Sequence, residues 1–137
     1  MDRILAVTER ANAALHALAL AAARGGSVAS GEAARVLGVS PSYLAKVLQS
    51  LAKAGLLESS RGPAGGFSLT KDPRRMTCME VLVALEGELL ERACLFAKPV
   101  CGSGECAFSR LCVEAAKRFT STLSRTKISE LGACFAE

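Results

Sequence analysis

Four of the six cysteines, Cys94, Cys101, Cys106 and Cys112, fall within nineteen residues of each other. Thiols gathered this densely bind metal or do redox chemistry, because the thiolate is a strong ligand and a strong nucleophile. Cys94, Cys101 and Cys106 are separated by six and four residues, in a stretch that contains Pro99, Gly102 and Gly104. Such a loop can wrap three thiolates around one centre, and the ligand chemistry suits an iron–sulfur cluster or zinc. Zinc commonly sits in tetrahedral sites of cysteine with one other ligand. Yet the chain has no paired Cys-x-x-Cys of the zinc-finger kind. Cys112 reads differently. If Cys106 opens a helix, Cys112 lies about 9 Å further along and about 120° around it, facing away from that centre. Cys78 is expected to be a small buried residue, and Cys134 stands alone near residue 137.

Something must hold these thiols, and the chain is 137 residues long and half apolar. It has no Trp, one Tyr and five Phe, so Leu, Val and Ala must fill the core, and the alanines favour helix. Ile4, Ala11, Leu15, Leu18 and Ala22 mark a first helix that stops at Gly25-Gly26. Arg3, Glu9, Arg10 and Asn12 break its apolar run and leave only 15–23. Neither a secretory signal nor a membrane span fits. The expected compartment is the cytoplasm, where thiols stay reduced and structural disulfides are uncommon.

The next elements make a helix-turn-helix. A short helix is expected over 31–37, with Ser30 as its cap and Gly38 at its end. Ser40 then caps a second helix with Pro41 in its first position, running to about residue 54. Leu44, Val47, Leu48 and Leu51 form its core face, while Ser42, Tyr43, Lys46, Gln49, Ser50 and Lys53 lie on the other. In this motif the second helix enters the major groove. Two short strands, 56–59 and 66–70, flank Arg61-Gly62-Pro63-Ala64-Gly65-Gly66, a tight exposed tip. An arginine there can reach a narrow minor groove. A nucleotide-binding loop would need a Gly-Lys-Ser/Thr ending or a helix directly after it, and a strand follows instead.

Charge agrees with this. The net charge is +4. All of it lies between positions 40 and 75, where Lys46, Lys53, Arg61, Lys71, Arg74 and Arg75 face only Glu58 and Asp72. A local basic surface is the footprint of a nucleic-acid binder, though an ordinary solvated face would carry one too.

In the second half, Thr77 with Glu80 reads as a capping box opening a helix through Leu85. Residues 92–106 form a loop, and a long helix follows over about 108–127. Cys112, Ala116, Phe119 and Leu123 are spaced as a coiled-coil seam, suited either to a second subunit or to the chain's own core.

Ser42-Tyr43-Leu44 through Leu48, Ala54-Gly55-Leu56, and Arg61-Gly62-Pro63 with Gly65-Gly66-Phe67 resemble the Rrf family of bacterial winged-helix regulators, of the IscR, NsrR and CymR type. The likeness covers nearly the whole chain, although residues 1–12 lack the Gly-Arg-Tyr-Ala run common in that family. It implies a mainly α fold with a small β wing and a long C-terminal dimerisation helix. Residues 1–85 would be the winged helix-turn-helix, and 86–137 the cysteine loop and dimerisation helix, packed as one unit with it. It also implies a homodimer on double-stranded DNA. Ser40, Ser42, Tyr43, Lys46 and Gln49 would read the major groove, and Arg61, Gly62, Pro63 and Gly65 the minor groove.

The resemblance further moves the metal reading from zinc to an iron–sulfur cluster, 2Fe-2S or 4Fe-4S, on Cys94, Cys101 and Cys106. In IscR-like members a His three residues past the third Cys completes the site; here Ser109 stands there, a poor iron ligand. In NsrR-like members an acidic side chain from the partner's first helix serves, and Glu9 holds about that place, with Asn12 and His16 on the same face. The expected order for the fourth ligand is Glu9 of the partner subunit, then Cys112, then His16. For His16 the plainer role is a hydrogen-bonded helix residue. The expected function is a DNA-binding regulator, a repressor, whose operator affinity follows a cluster that senses nitric oxide, redox state or iron–sulfur supply. One rival is a cluster-free regulator controlled by thiol oxidation or a protein partner; another is a small redox or electron-transfer protein. No catalytic triad or nucleotide fingerprint speaks for an enzyme.

Overall fold

The structure, a computed structural model, describes residues 7–60, 65–87, 100–101 and 106–136. These form six helices and a three-stranded antiparallel sheet that the first three helices pack against. The order is α1 (Glu9–Ala23), β1 (Ser27–Ala29), α2 (Ser30–Leu37), α3 (Pro41–Lys53), β2 (Leu57–Ser60), β3 (Gly66–Leu69), α4 (Cys78–Glu86), α5 (Ser109–Arg125) and α6 (Ile128–Gly132), with a last 3-10 turn at Ala133–Phe135.

The centre is α1. Ala11, Ala14, Ala17, Leu18, Ala19, Leu20 and Ala21 are all fully buried. A helix buried on nearly every side needs small side chains, because each methyl lets a neighbour approach closely. α3, α4 and α6 all pack against it. Leu44, Val47, Leu51, Leu57, Met76, Val81 and Ile128 complete the core. Each buried leucine contributes about 1.5–3 kcal/mol relative to exposure.

Several boundaries follow their local signals. Ser40 Oγ accepts from the Tyr43 amide at 3.2 Å, and Pro41 takes the first helical position. Thr77 and Glu80 form the expected reciprocal box, at 3.1 and 3.2 Å. Glu80 also meets Lys71 at 3.2 Å.

Other expectations need correction. Ser30 does not cap α2. It is the first helical residue, and its N–H donates instead to the Gly65 carbonyl at 3.1 Å. The cause is β1, a strand the sequence did not announce, which pairs with β3 through Val28 opposite Phe67. The pairing is tight: a Cβ on Gly66 would sit 2.6 Å from the Val28 carbonyl oxygen, so only glycine fits there. The long helix expected over about 108–127 is α5, but the short α6 after it was unannounced. α5 stops at Arg125, because Thr126 is extended and Lys127 bridges back to Thr77. Ile128 N–H donates to the Met76 carbonyl at 2.8 Å, and α6 then lies along α1.

Candidate nucleic-acid interface and cysteine segment

α2 and α3 meet through a turn at Gly38, whose left-handed backbone (φ 66°) lets the Val39 N–H reach back to the Ala34 carbonyl at 3.1 Å. On α3 the buried residues are Leu44, Val47, Leu48 and Leu51. Ser42, Lys46, Gln49 and Lys53 follow one another at helical spacing, and all four are exposed. Lys46 and Lys53 have no ion-pair partner among the described residues. The structure therefore brings Ser42, Lys46 and Gln49 of the expected residues, with Lys53, onto one open, basic stripe of α3.

Two other expected residues are already occupied. Ser40 spends an oxygen lone pair on the helix cap and lies 3.4 Å from Ser42 Oγ. Tyr43 is half-buried and its ring packs on the core. In the wing, Gly65 is half-buried and ties the root of β3 to α2. Arg61, Gly62 and Pro63 lie outside the described residues. The sheet's open groove carries Ser27, Ser59, Ser60 and Ser68 with Glu32 and Glu58, and among the described residues no Lys or Arg lines it. Phosphate is better attracted by α3.

Sequence reasoning missed Arg35, in the last turn of α2, which is exposed and unpaired among the described residues. Its sequence signal, a cation closing the first helix of the motif, does not by itself set it apart from other exposed arginines. After β3, Arg74 grips Asp72, its Nε donating to both carboxylate oxygens at 3.1 Å and its Nη2 to Oδ2 at 2.8 Å. That guanidinium holds the Asp72 carboxyl below its usual range, and the pair raises Arg74 in return.

The cysteines separate by burial. Cys78 and Cys112 are each 2% exposed. Burial, with the negative charge of Glu130, pushes the Cys78 thiol up. Cys101 and Cys134 are exposed, and Cys106 is half-buried just ahead of α5, its carbonyl accepting from Ser109 N–H at 3.1 Å. All five are free thiols. Cys94 lies outside the described residues. Among the described residues no three His, Cys, Asp or Glu side chains are gathered as a metal site. Cys112 and Ala116 are buried within the chain itself, with α5 against α4, and Leu123 packs on the core. The seam anticipated for a second subunit is thus largely used within one chain. Among the described residues, the large apolar side chains left open in this region are Val100, Phe108 and Leu111.

Glu9 is exposed in the first turn of α1. Its position is fixed from both sides: Thr8 caps Ala11 N–H at 3.0 Å and donates to Glu86 at 2.8 Å, and Arg10 donates to the Leu85 carbonyl at 2.5 Å. This clasp joins the start of α1 to the end of α4. His16 is engaged locally, its Nδ1–H donating to the Asn12 carbonyl at 2.8 Å and its ring meeting Phe135 edge-on.

A family model described as "Iron-dependent Transcriptional regulator", Rrf2, matches residues 7–133. The chain belongs to the Rrf2 family. It is 31% identical over 126 residues to the HTH-type transcriptional regulator IscR of Photorhabdus laumondii, covering 92% of this chain and 73% of that protein. It is 39% identical over 69 residues to the putative HTH-type transcriptional regulator BadM of Rhodopseudomonas palustris, half of this chain and 44% of that one. The fold matches CymR, the global cysteine regulator of B. subtilis, with a TM-score of 0.73 at 23% identity over 95% of this chain and 98% of that chain. It matches IscR of T. potens at 0.66 and 19% identity, over 96% and 88%. This Rrf2 chain is a winged-helix transcriptional regulator that binds DNA, and not an enzyme. No described helix is long and apolar enough to cross a membrane.

Proposed function

We propose that this regulator is a homodimeric repressor whose operator affinity is set by an iron–sulfur cluster on Cys94, Cys101 and Cys106, with Glu9 of the partner subunit as fourth ligand. The observation that carries it is the division of the thiols: Cys101 and Cys106 are free and reach the surface, while Cys78 and Cys112 are sealed in the core. The donor set fits such a cluster, since open thiols ionise and ligate far more readily than buried ones. Burial also ranks Cys112 well behind Glu9. A bound cluster would supply a centre whose oxidation, nitrosylation or loss changes its ligands. The chain's own residues would pass that change on. Thr8 and Arg10, the residues on either side of Glu9, both engage Glu86 at the end of α4, the helix that precedes the cysteine segment in the chain. A coupling of about 1–3 kcal/mol between cluster and operator would alter affinity about 5- to 150-fold. Ser42, Lys46 and Gln49 would read the major groove, with Arg61, Gly62 and Pro63 at the minor groove. Ser40 serves chiefly to hold α3 in place.

An exposed Cys101 also suits a second reading, a cluster-free regulator switched by thiol oxidation. Anaerobic purification separates the two. A brown protein whose visible absorbance disappears in Cys101→Ala supports the cluster. A colourless protein with stoichiometric zinc, or with no metal at all, overturns it.

A further inference from the structure

The segment from α2 through α3 contains one carboxylate, Glu32, and three cations, Arg35, Lys46 and Lys53. Glu32 and Arg35 are three residues apart on one helix, with the acid on the N-terminal side. Such pairs normally attract each other. Here they do not pair. Glu32 Oε1 is instead taken by Arg24 Nε at 3.1 Å, from the end of α1. Arg24 is itself placed by a second bond, Nη1 to the Phe135 carbonyl at 3.3 Å. Arg35 is left exposed with no partner among the described residues.

Its place in the fold matters. Arg35 sits in the last turn of α2, and only Val39 and Ser40 separate the Gly38 turn from the first turn of α3. In a helix-turn-helix the N-terminal residues of the second helix contact base edges, while the first helix crosses the phosphate backbone. A cation at this end of α2 stands beside the groove that α3 enters.

We propose that Arg35 is a DNA phosphate contact, and that Arg24 is a positioning residue that keeps it free by holding Glu32. The proposal rests on α3 being the DNA-reading helix. Without Arg24, Glu32 is released to neutralise Arg35 and to repel phosphate nearby. The turn at Ala133–Phe135 thereby supports the DNA-binding surface from the far end of the chain, through one arginine.

The test uses the full chain and a mixed-sequence DNA duplex, since non-specific binding is governed by phosphate contacts. Arg35→Gln should weaken binding and reduce the slope of log affinity against log salt by about one. Over a four-fold rise in salt, that variant would lose about 3- to 4-fold less affinity than the parent. Arg24→Gln should weaken binding in the same direction, and adding Glu32→Gln to it should restore the parent affinity. A purely structural role for Arg24, through Phe135, would not be rescued by Glu32→Gln. Circular dichroism melts check that each variant is folded. An unchanged salt slope in Arg35→Gln overturns the contact. Failure of Glu32→Gln to restore Arg24→Gln overturns the role of Arg24. If the parent chain binds no duplex, the assignment of α3 falls, and the proposal with it.

Discussion

The helix-turn-helix and the cysteine-bearing region leave opposite kinds of group at the surface. In α2 and α3 the leucines face inward and the exposed stripe is polar and cationic. Around the cysteine segment, Val100 is 70%, Phe108 53% and Leu111 61% exposed, and the thiol of Cys101 is open too. Unpaired cations on water-facing helices cost a folded chain little and attract phosphate from a distance. Large apolar side chains left this open suit a surface that a partner would cover. The DNA-reading half is therefore finished within one chain, whereas the sensing half, on our reading, is completed by a second copy and a cluster.

Core and surface substitutions test this division most strongly. Leu51→Ala should cost about 2–5 kcal/mol of stability by opening a cavity beneath α3. Leu111→Ala should cost almost nothing in a denaturant melt, yet shift the proposed dimer toward monomer in sedimentation. Equal losses of stability at both positions would break the contrast. Thr77→Ala should cost about 1 kcal/mol, because it removes one side of the α4 capping box. A chemical melt reads that directly, and a loss near zero would mean that the Lys127 bridge alone fixes the start of α4.

The smallest effects concern the thiols. Alkylation of the folded chain should reach Cys101 and Cys134 first and spare Cys78 and Cys112 until unfolding, as mass spectrometry of the labelled peptides would show. Cys78 also carries a pH signature. Its folded thiol ionises at a higher pH than the unfolded one, so the folded chain keeps a proton that the unfolded chain gives up. Its contribution is intact below the ordinary thiol range and is lost as pH rises through it. Cys78→Ala should flatten that alkaline decline, and an unchanged decline would argue against a sealed thiol.

Much of the framework was legible beforehand because its signals are local. Ser40-Pro41 and Thr77 with Glu80 announce helix starts within four residues of sequence. The apolar period of α3 marks its buried face, and the Gly-Pro-Ala-Gly-Gly stretch marks a wing whose strands fall within one residue of expectation. β1 was hidden, since three residues with one apolar side chain carry no period. α6 was hidden because five residues pack by position rather than by pattern. The candidate site was half legible. The α3 stripe could be read from spacing, but Arg35 could not be separated from any other exposed arginine without knowing where Glu32 points.

By itself, then, the chain's order of residues determined the helix caps, the inward face of α3, the wing and the presence of a thiol-rich segment. Each depends on neighbours a few residues apart, whose geometry the backbone dictates. Only the tertiary structure decided which cysteines are sealed, that the α5 seam is used against α4, and that Arg24 rather than Arg35 takes Glu32. Those outcomes are competitions between groups far apart in sequence, such as Arg24 and Phe135, and they are settled by which surfaces pack together.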